Sequence, residues 1–131
     1  MIIDKIALIF IQDKKVLFTL TKGKNLFYSP GGKREPGESD EQTLIREIRE
    51  ELSVDIEPKT IRYYGTFRTK AHERPEGTDA KITCFTAKFH GKLKPSSEVE
   101  KIAWLTSEDM EKVPPTGRLI LADLKEKGMI D

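Results

Sequence analysis

Residues 32–54 read GKREPGESDEQTLIREIREELSV, and the second half of this stretch is the clearest helix in the chain. Ser39 stands three residues before Gln42, a spacing at which hydroxyl and carboxamide cap a helix start reciprocally. Leu44, Ile48 and Leu52 recur every fourth residue with Ile45 beside them, giving one apolar stripe to bury. The pattern predicts a helix over residues 39–52. Glu47, Glu50 and Glu51 fall at i, i+3 and i+4, so their carboxylates project from one face. At ~100° per residue, Ile45, Ile48 and Leu52 lie on roughly the opposite side. Such a helix needs a sheet to lie on.

The flanking segments supply one. Residues 6–11 and 16–20 are rich in Ile, Leu, Val and Phe and are separated by Gln12-Asp13-Lys14-Lys15, which reads as a β-hairpin. Residues 25–28 form a short third strand, stopped by Pro30-Gly31-Gly32, and Pro36-Gly37 keeps residues 33–38 in a loop. Residues 61–70 and 81–90 are two further extended runs joined by a polar loop over 71–80. In the second of these, apolar residues on both parities point to an inner strand covered on both faces. Residues 102–105 give a last strand with Trp104. Thr106 or Ser107 caps a brief helix through Met110, which Pro114-Pro115 breaks. Thr116 is expected to cap a final helix that turns Leu119, Ile120 and Leu124 to the core and ends at Gly128. Strands, helix, strands, helix is an α/β order with a mixed sheet between helices.

The chain has 131 residues, enough for one domain with its own core, expected over 1–131. With 23 Lys and Arg against 22 Asp and Glu, the net charge of +1 removes the case for bulk nucleic-acid or anionic-membrane binding. The apolar run at 6–11 is too short to span a bilayer, and no signal-peptide cleavage site follows it, so the expected location is cytoplasmic. The lone Cys84 forms no intramolecular disulfide and reads as a small buried hydrophobe.

Three carboxylates on one rigid helix face, backed by core packing, suit a hard cation such as Mg²⁺ or Mn²⁺ rather than zinc. Taken alone, an acidic trio at helical spacing is an ordinary solvated face, and Arg46 and Arg49 relieve part of its repulsion. The upstream spacing discriminates. Gly32, five residues, Glu38, seven residues, Arg46-Glu47-Ile48, one residue, Glu50-Glu51, one residue, Ser53-Val54 resembles the Nudix hydrolase signature, Gly-x5-Glu-x7-Arg-Glu-U-x-Glu-Glu-x-Gly-U with U bulky and aliphatic. Only Ser53, standing for the final Gly, departs from it. The segment order on both sides is similar to that family's whole domain.

That resemblance implies an α/β/α sandwich that hydrolyses a nucleoside diphosphate linked to another moiety, with Mg²⁺ or Mn²⁺ as cofactor. It implies Glu50 and Glu51 as metal ligands, Glu47 as ligand or general base, Arg46 as the group that orients Glu47, and Glu38 as a brace for the loop–helix joint. Gly31, Gly32 and Gly37 are implied to let the backbone turn tightly near metal and diphosphate. Members often add a carboxylate from the loop before the late aromatic strand, which points to Glu98 rather than Glu100. Phe27 or Tyr28 could stack on a base, unless each is ordinary core. Ser29 stands where members often have a bulkier apolar residue, and could widen the pocket. Arg68, Lys70, His72 and Arg74 could reach terminal phosphates, or merely solvate a loop. Trp104 reads as core. A MutT-like nucleoside triphosphate pyrophosphatase leads. A hydrolase of ADP-ribose, a nucleotide sugar or a dinucleoside polyphosphate is the alternative, and a non-catalytic nucleotide sensor is the third. The expected partner is a small-molecule nucleotide, with the chain a monomer or homodimer.

Overall fold

Alternation along three strands decides the architecture. The structure, a computed structural model, describes residues 2–70 and 77–131. Its strands are β1 (Ile2–Leu8), β2 (Ile11–Gln12), β3 (Lys15–Thr21), β4 (Phe27–Tyr28), β5 (Gly31–Gly32), β6 (Asp55–Ile56), β7 (Arg62–Lys70), β8 (Asp79–Thr86), β9 (Phe89–His90) and β10 (Val99–Leu105). The helices are α1 (Asp40–Leu52) and α2 (Pro115–Glu126), with two short 3₁₀ segments at Pro58–Thr60 and Ser107–Lys112. Ile6 and Leu8 of β1, Leu17 of β3 and Phe85 of β8 join Leu44, Ile48 and Leu52 of α1 in one apolar cluster. Their neighbours Ala7, Val16, Phe18, Ile82 and Cys84 join Ile120, Leu121 and Leu124 of α2 in another. The period-2 alternation of these strands therefore places a helix on each side of the strand layer, the α/β/α arrangement.

The strands form a sheet of order β5-β1-β8-β7, in which β1 and β8 run parallel and the other pairs antiparallel. A second sheet has order β10-β3-β2 with β4 also on β3, and β6 pairs with β9. The expected inner strand is β8, flanked on both edges and buried from Ile82 to Phe85.

Several boundaries differ from expectation. Residues 6–11 are not one arm of a hairpin: the chain leaves the first sheet after Leu8, and only Ile11–Gln12 pairs with β3. The hairpin turn is Asp13-Lys14 with φ of +52° and +61°, the two-residue left-handed turn whose twist matches its strands. The run over 81–90 likewise divides, because Phe89–His90 leaves β8 to pair with β6. β8 starts at Asp79, so the expected 71–80 loop is shorter. Residues 71–76, with His72 and Arg74, lie outside the described residues.

The final helix starts at Pro115 with Pro114 at the N-cap position, not under a Thr116 cap. Proline suits the first helical residue because its fixed φ is helical and its missing N–H would have had no intrahelical partner. That start places Gly117, Ile120, Leu121 and Leu124 inward and leaves Leu119 40% exposed, against the expected facing. Among the described residues no helix is long and apolar enough to cross a membrane.

Candidate active site

The N-terminus of α1 is capped as its sequence requires: Ser39 Oγ accepts from Gln42 N at 3.1 Å, and Gln42 Oε1 accepts from Ser39 N at 2.9 Å. The apolar stripe seats the helix, and the chain before it returns along β1 as β5. Gly31 has a φ of +146°, and a Cβ there would lie 1.9 Å from the Ile6 carbonyl oxygen. A Cβ on Gly32 would lie 2.5 to 2.8 Å from the carboxyl atoms of Glu47. Gly31 thus lets β5 close on β1, and Gly32 lets the Glu47 carboxylate come against bare backbone, which any side chain would prevent.

Glu51 meets the same backbone edge one residue earlier. Its Oε1 accepts from Gly31 N at 2.9 Å. Burial pushes its carboxyl up to about 8 despite this bond and nearby Lys5, with the charges of Glu47 and Glu98 adding to the rise. Glu47 is also raised, by burial first and then by Glu50 and Glu98, against the pull of Arg46. The acidic face is therefore not opposite the stripe. Glu51 sits at its edge, while Glu50 keeps 50% of its side chain exposed against 17% for Glu47.

Arg46 and Glu38 brace this face. Arg46 Nη1 donates to Glu47 Oε1 at 2.7 Å, while its Nε and Nη2 grip Glu38 at 2.7 and 2.9 Å, and Nη2 also reaches the Lys33 carbonyl at 3.1 Å. Glu38 Oε1 further accepts from Glu35 N and Thr43 Oγ1. With Arg46 beside it as the main cause, the Glu38 carboxyl is held down to about 2. The loop from Lys33 to Glu38 is thereby fixed to the helix by a bidentate guanidinium–carboxylate pair.

The far end of α1 is closed by the loop at 93–98. Lys94 N and Ser96 N donate to the carbonyls of Leu52 and Glu51, both at 2.9 Å, and Ser96 Oγ donates to that of Glu50. Two residues later Glu98 adds its charge to Glu47 and Glu51, so the structure brings it to the face. Glu100 points from β10 into solvent. Among the described residues, no three acidic, His or Cys side chains converge tightly enough to enclose an ion as they stand. Arg46 draws Glu47 and Glu50 to itself, and Gly31 holds Glu51. The chemistry of the set nonetheless fits a hard dication. All donors are carboxylate oxygens, and two are raised by burial and mutual repulsion that a cation would relieve.

Beside Glu51 opens a cavity of about 200 Å³ between the two sheets. Its walls include Lys5, Tyr28, Ser29 and Gly31, with Pro114 and Thr116 from the start of α2. Tyr28 lines it, with Lys5 Nζ 5.3 Å from the ring centroid. Phe27, one residue earlier and on the other parity, packs against the α2-side core and does not line the cavity. Arg68 does not reach it either, being paired with Asp79 at 3.0 Å, whereas Lys5, Lys24 and Lys70 do line it. Sequence reasoning missed Lys5, Lys24, Ser96 and the start of α2. Only the cap requirement of a helix C-terminus could have flagged Ser96. Cys84 is buried as expected, its thiol pushed up to about 12 by burial. Trp104 packs against Phe10 in the α1-side core.

The NUDIX domain family model matches residues 3–124. The chain is 30% identical to the CTP pyrophosphohydrolase of Escherichia coli over 120 residues, 86% of this chain and 82% of that one. It is 33% identical over 95 residues to the NAD-capped RNA hydrolase NudC of Vibrio vulnificus, covering 70% of this chain but only 33% of that protein's length. The solution structure of the E. coli ORF135 protein superposes with a TM-score of 0.72 at 26% identity, covering 96% of this chain and 92% of that one. The match across nearly the whole fold, the glycine edge and the braced acidic helix together place this chain in the Nudix hydrolase family.

Proposed function

We propose that the chain is a Mg²⁺-dependent nucleoside triphosphate pyrophosphatase, releasing nucleoside monophosphate and pyrophosphate. The observation that carries this reading is the meeting of two features at Glu51. Glu51, whose carboxyl feels the charges of Glu47 and Glu98, lines a cavity whose wall also holds an aromatic ring, Tyr28, and cationic side chains. A nucleotide has matching parts, a flat base and an anionic chain. The kinship with a CTP pyrophosphohydrolase supports the same class.

Glu50, Glu51, Glu47 and Glu98 would hold the cation. When bound, Mg²⁺ supplies charge neutralisation for the phosphate oxygens and acidifies a water. The chain's own residues do the rest. Arg46 occupies Glu47 Oε1 and leaves Oε2, beside Gly32, as the atom able to take a proton from the attacking water. Lys5 and Lys24 offset substrate charge along the cavity, and Tyr28 orients the base.

The test is a hydrolysis screen over nucleoside triphosphates, oxidised nucleotides, ADP-ribose, nucleotide sugars and dinucleoside polyphosphates, with Mg²⁺ and after chelation. At least one triphosphate should yield monophosphate and pyrophosphate in equal amounts, and chelation should stop it. Turnover of the other classes alone, or activity surviving chelation, would overturn the reading.

A further inference from the structure

We propose that Ser96 is a positioning residue for the acidic site: by closing the carbonyl end of α1 it fixes the loop that holds Glu98 over Glu47 and Glu51, and so sets the site's affinity for a divalent cation. The inference deepens the proposed function and rests on its assignment of these carboxylates to the cation.

A helix leaves its last four carbonyls without intrahelical donors. In α1 these belong to Arg49, Glu50, Glu51 and Leu52, and all four are satisfied. Ser53 N serves Arg49 at 3.1 Å, and Lys94 N serves Leu52 at 2.9 Å. The two between them, on the residues whose side chains form the acidic face, are both served by Ser96, through Oγ to Glu50 and through N to Glu51. One residue thus grips the two peptide units that carry two of the proposed ligands.

The chain beyond Ser96 has little room to move. Ser97 adopts a left-handed φ of +56°, which reverses the chain. Val99 N donates back to the Ser96 carbonyl at 3.1 Å and closes the turn. The Glu98 carbonyl accepts from Lys22 N at 2.8 Å, tying it to the end of β3. Glu98 is therefore held between two fixed points, Ser96 on α1 and Lys22 beside β3. Its side chain is exposed, so its aim depends on this backbone rather than on packing. The carboxylate so aimed adds its charge to Glu47, after that of Glu50, and to Glu51, after that of Glu47.

The test is a double-mutant cycle on Mn²⁺ affinity, read from free Mn²⁺ by electron paramagnetic resonance without nucleotide. Glu98→Gln should weaken binding about tenfold or more, as changes close to a bound metal do. Ser96→Ala, which keeps the backbone N–H and hence the Glu51 bond, should weaken it comparably with only a small fall in melting temperature. Ser96→Thr, retaining a hydroxyl, should recover much of the loss. The double variant should bind no more weakly than Glu98→Gln alone, because both changes remove one contribution. Ser53→Ala, which removes only the other bond to the Ser96 hydroxyl, should leave the affinity unchanged. Wild-type affinity in Ser96→Ala, or fully additive losses in the double variant, would overturn the inference. A coupled cycle supports it even if no nucleotide is hydrolysed, in which case the proposed function alone fails.

Discussion

Glu51 is pulled two ways, by burial against its charged form and by its bond from Gly31 N in favour of it. Its carboxyl is pushed up to about 8, mainly by burial, so the charged form is unfavourable in the folded chain without a cation. Glu51→Gln keeps the acceptor for Gly31 N and removes the buried charge. It should leave the metal-free melting temperature no lower while cutting turnover by about a hundredfold or more. Near wild-type turnover would remove Glu51 from the site. Glu38 is the opposite case, an acid stabilised by Arg46. With its folded value near 2 and its ordinary value of 4.5, the unfolded chain binds the proton first as pH falls. Its contribution is thus full above about 4.5 and lost toward pH 2. In acid melting curves wild type should lose stability over that window more steeply than Glu38→Gln, and parallel curves would deny the brace. At this scale the site was largely legible, because fixed separations on one helix specify which carboxylates share a face. The burial of Glu51 was not, since it depends on Gly31–Gly32 returning against the helix.

α1 shows how far local signals reach at the level of an element. Its capping box, its stripe and the left-handed Ser53, with φ of +61° and ψ of +29°, all follow from residues within one helical segment. α2 and the first hairpin were misread where a local signal was ambiguous. Pro114-Pro115 can end one helix or begin another, and an apolar run over 6–11 gives no hint that it crosses between sheets. Ser53 itself supports a paired prediction. A left-handed conformation costs an L-residue about 1 kcal/mol relative to Gly. The Ser53 hydroxyl also bonds Ser96 Oγ at 3.1 Å, an exposed contact of smaller worth. Ser53→Ala loses the bond and keeps the strain, while Ser53→Gly loses both. Chemical denaturation should therefore find the Gly variant about 1 kcal/mol more stable than the Ala variant and at least as stable as wild type. An Ala variant equal to or above the Gly variant would show that no strain is stored there.

The cleft belongs to no single element, which is why its lining was the least legible part of the molecule. It exists because β1 and β8 face β3 and β4 of the other sheet, with the start of α2 at its side. Residue type alone could not say which of Phe27 and Tyr28 faces it. The register does: Tyr28 pairs with Thr19, whose hydroxyl donates to the Tyr28 carbonyl at 3.2 Å, and the two residues line the same cavity. Phe27 turns the other way, toward the α2-side core, with Lys101 Nζ 5.9 Å from its ring centroid. The neighbouring aromatics should therefore fail differently when truncated. Tyr28→Ala removes a stacking surface, worth ~1–3 kcal/mol for a base on an aromatic ring. It should raise KM for the nucleotide by roughly tenfold, with kcat and melting temperature little changed. Phe27→Ala opens a gap at the edge of a packed cluster and should cost about 2 kcal/mol of stability, since the ring is only partly buried, with KM nearly preserved. Steady-state kinetics and thermal melts on the same two variants separate the outcomes. If Phe27→Ala raised KM and Tyr28→Ala only lowered stability, the base would have to lie on the other face of β4, away from the cavity that opens on Glu51.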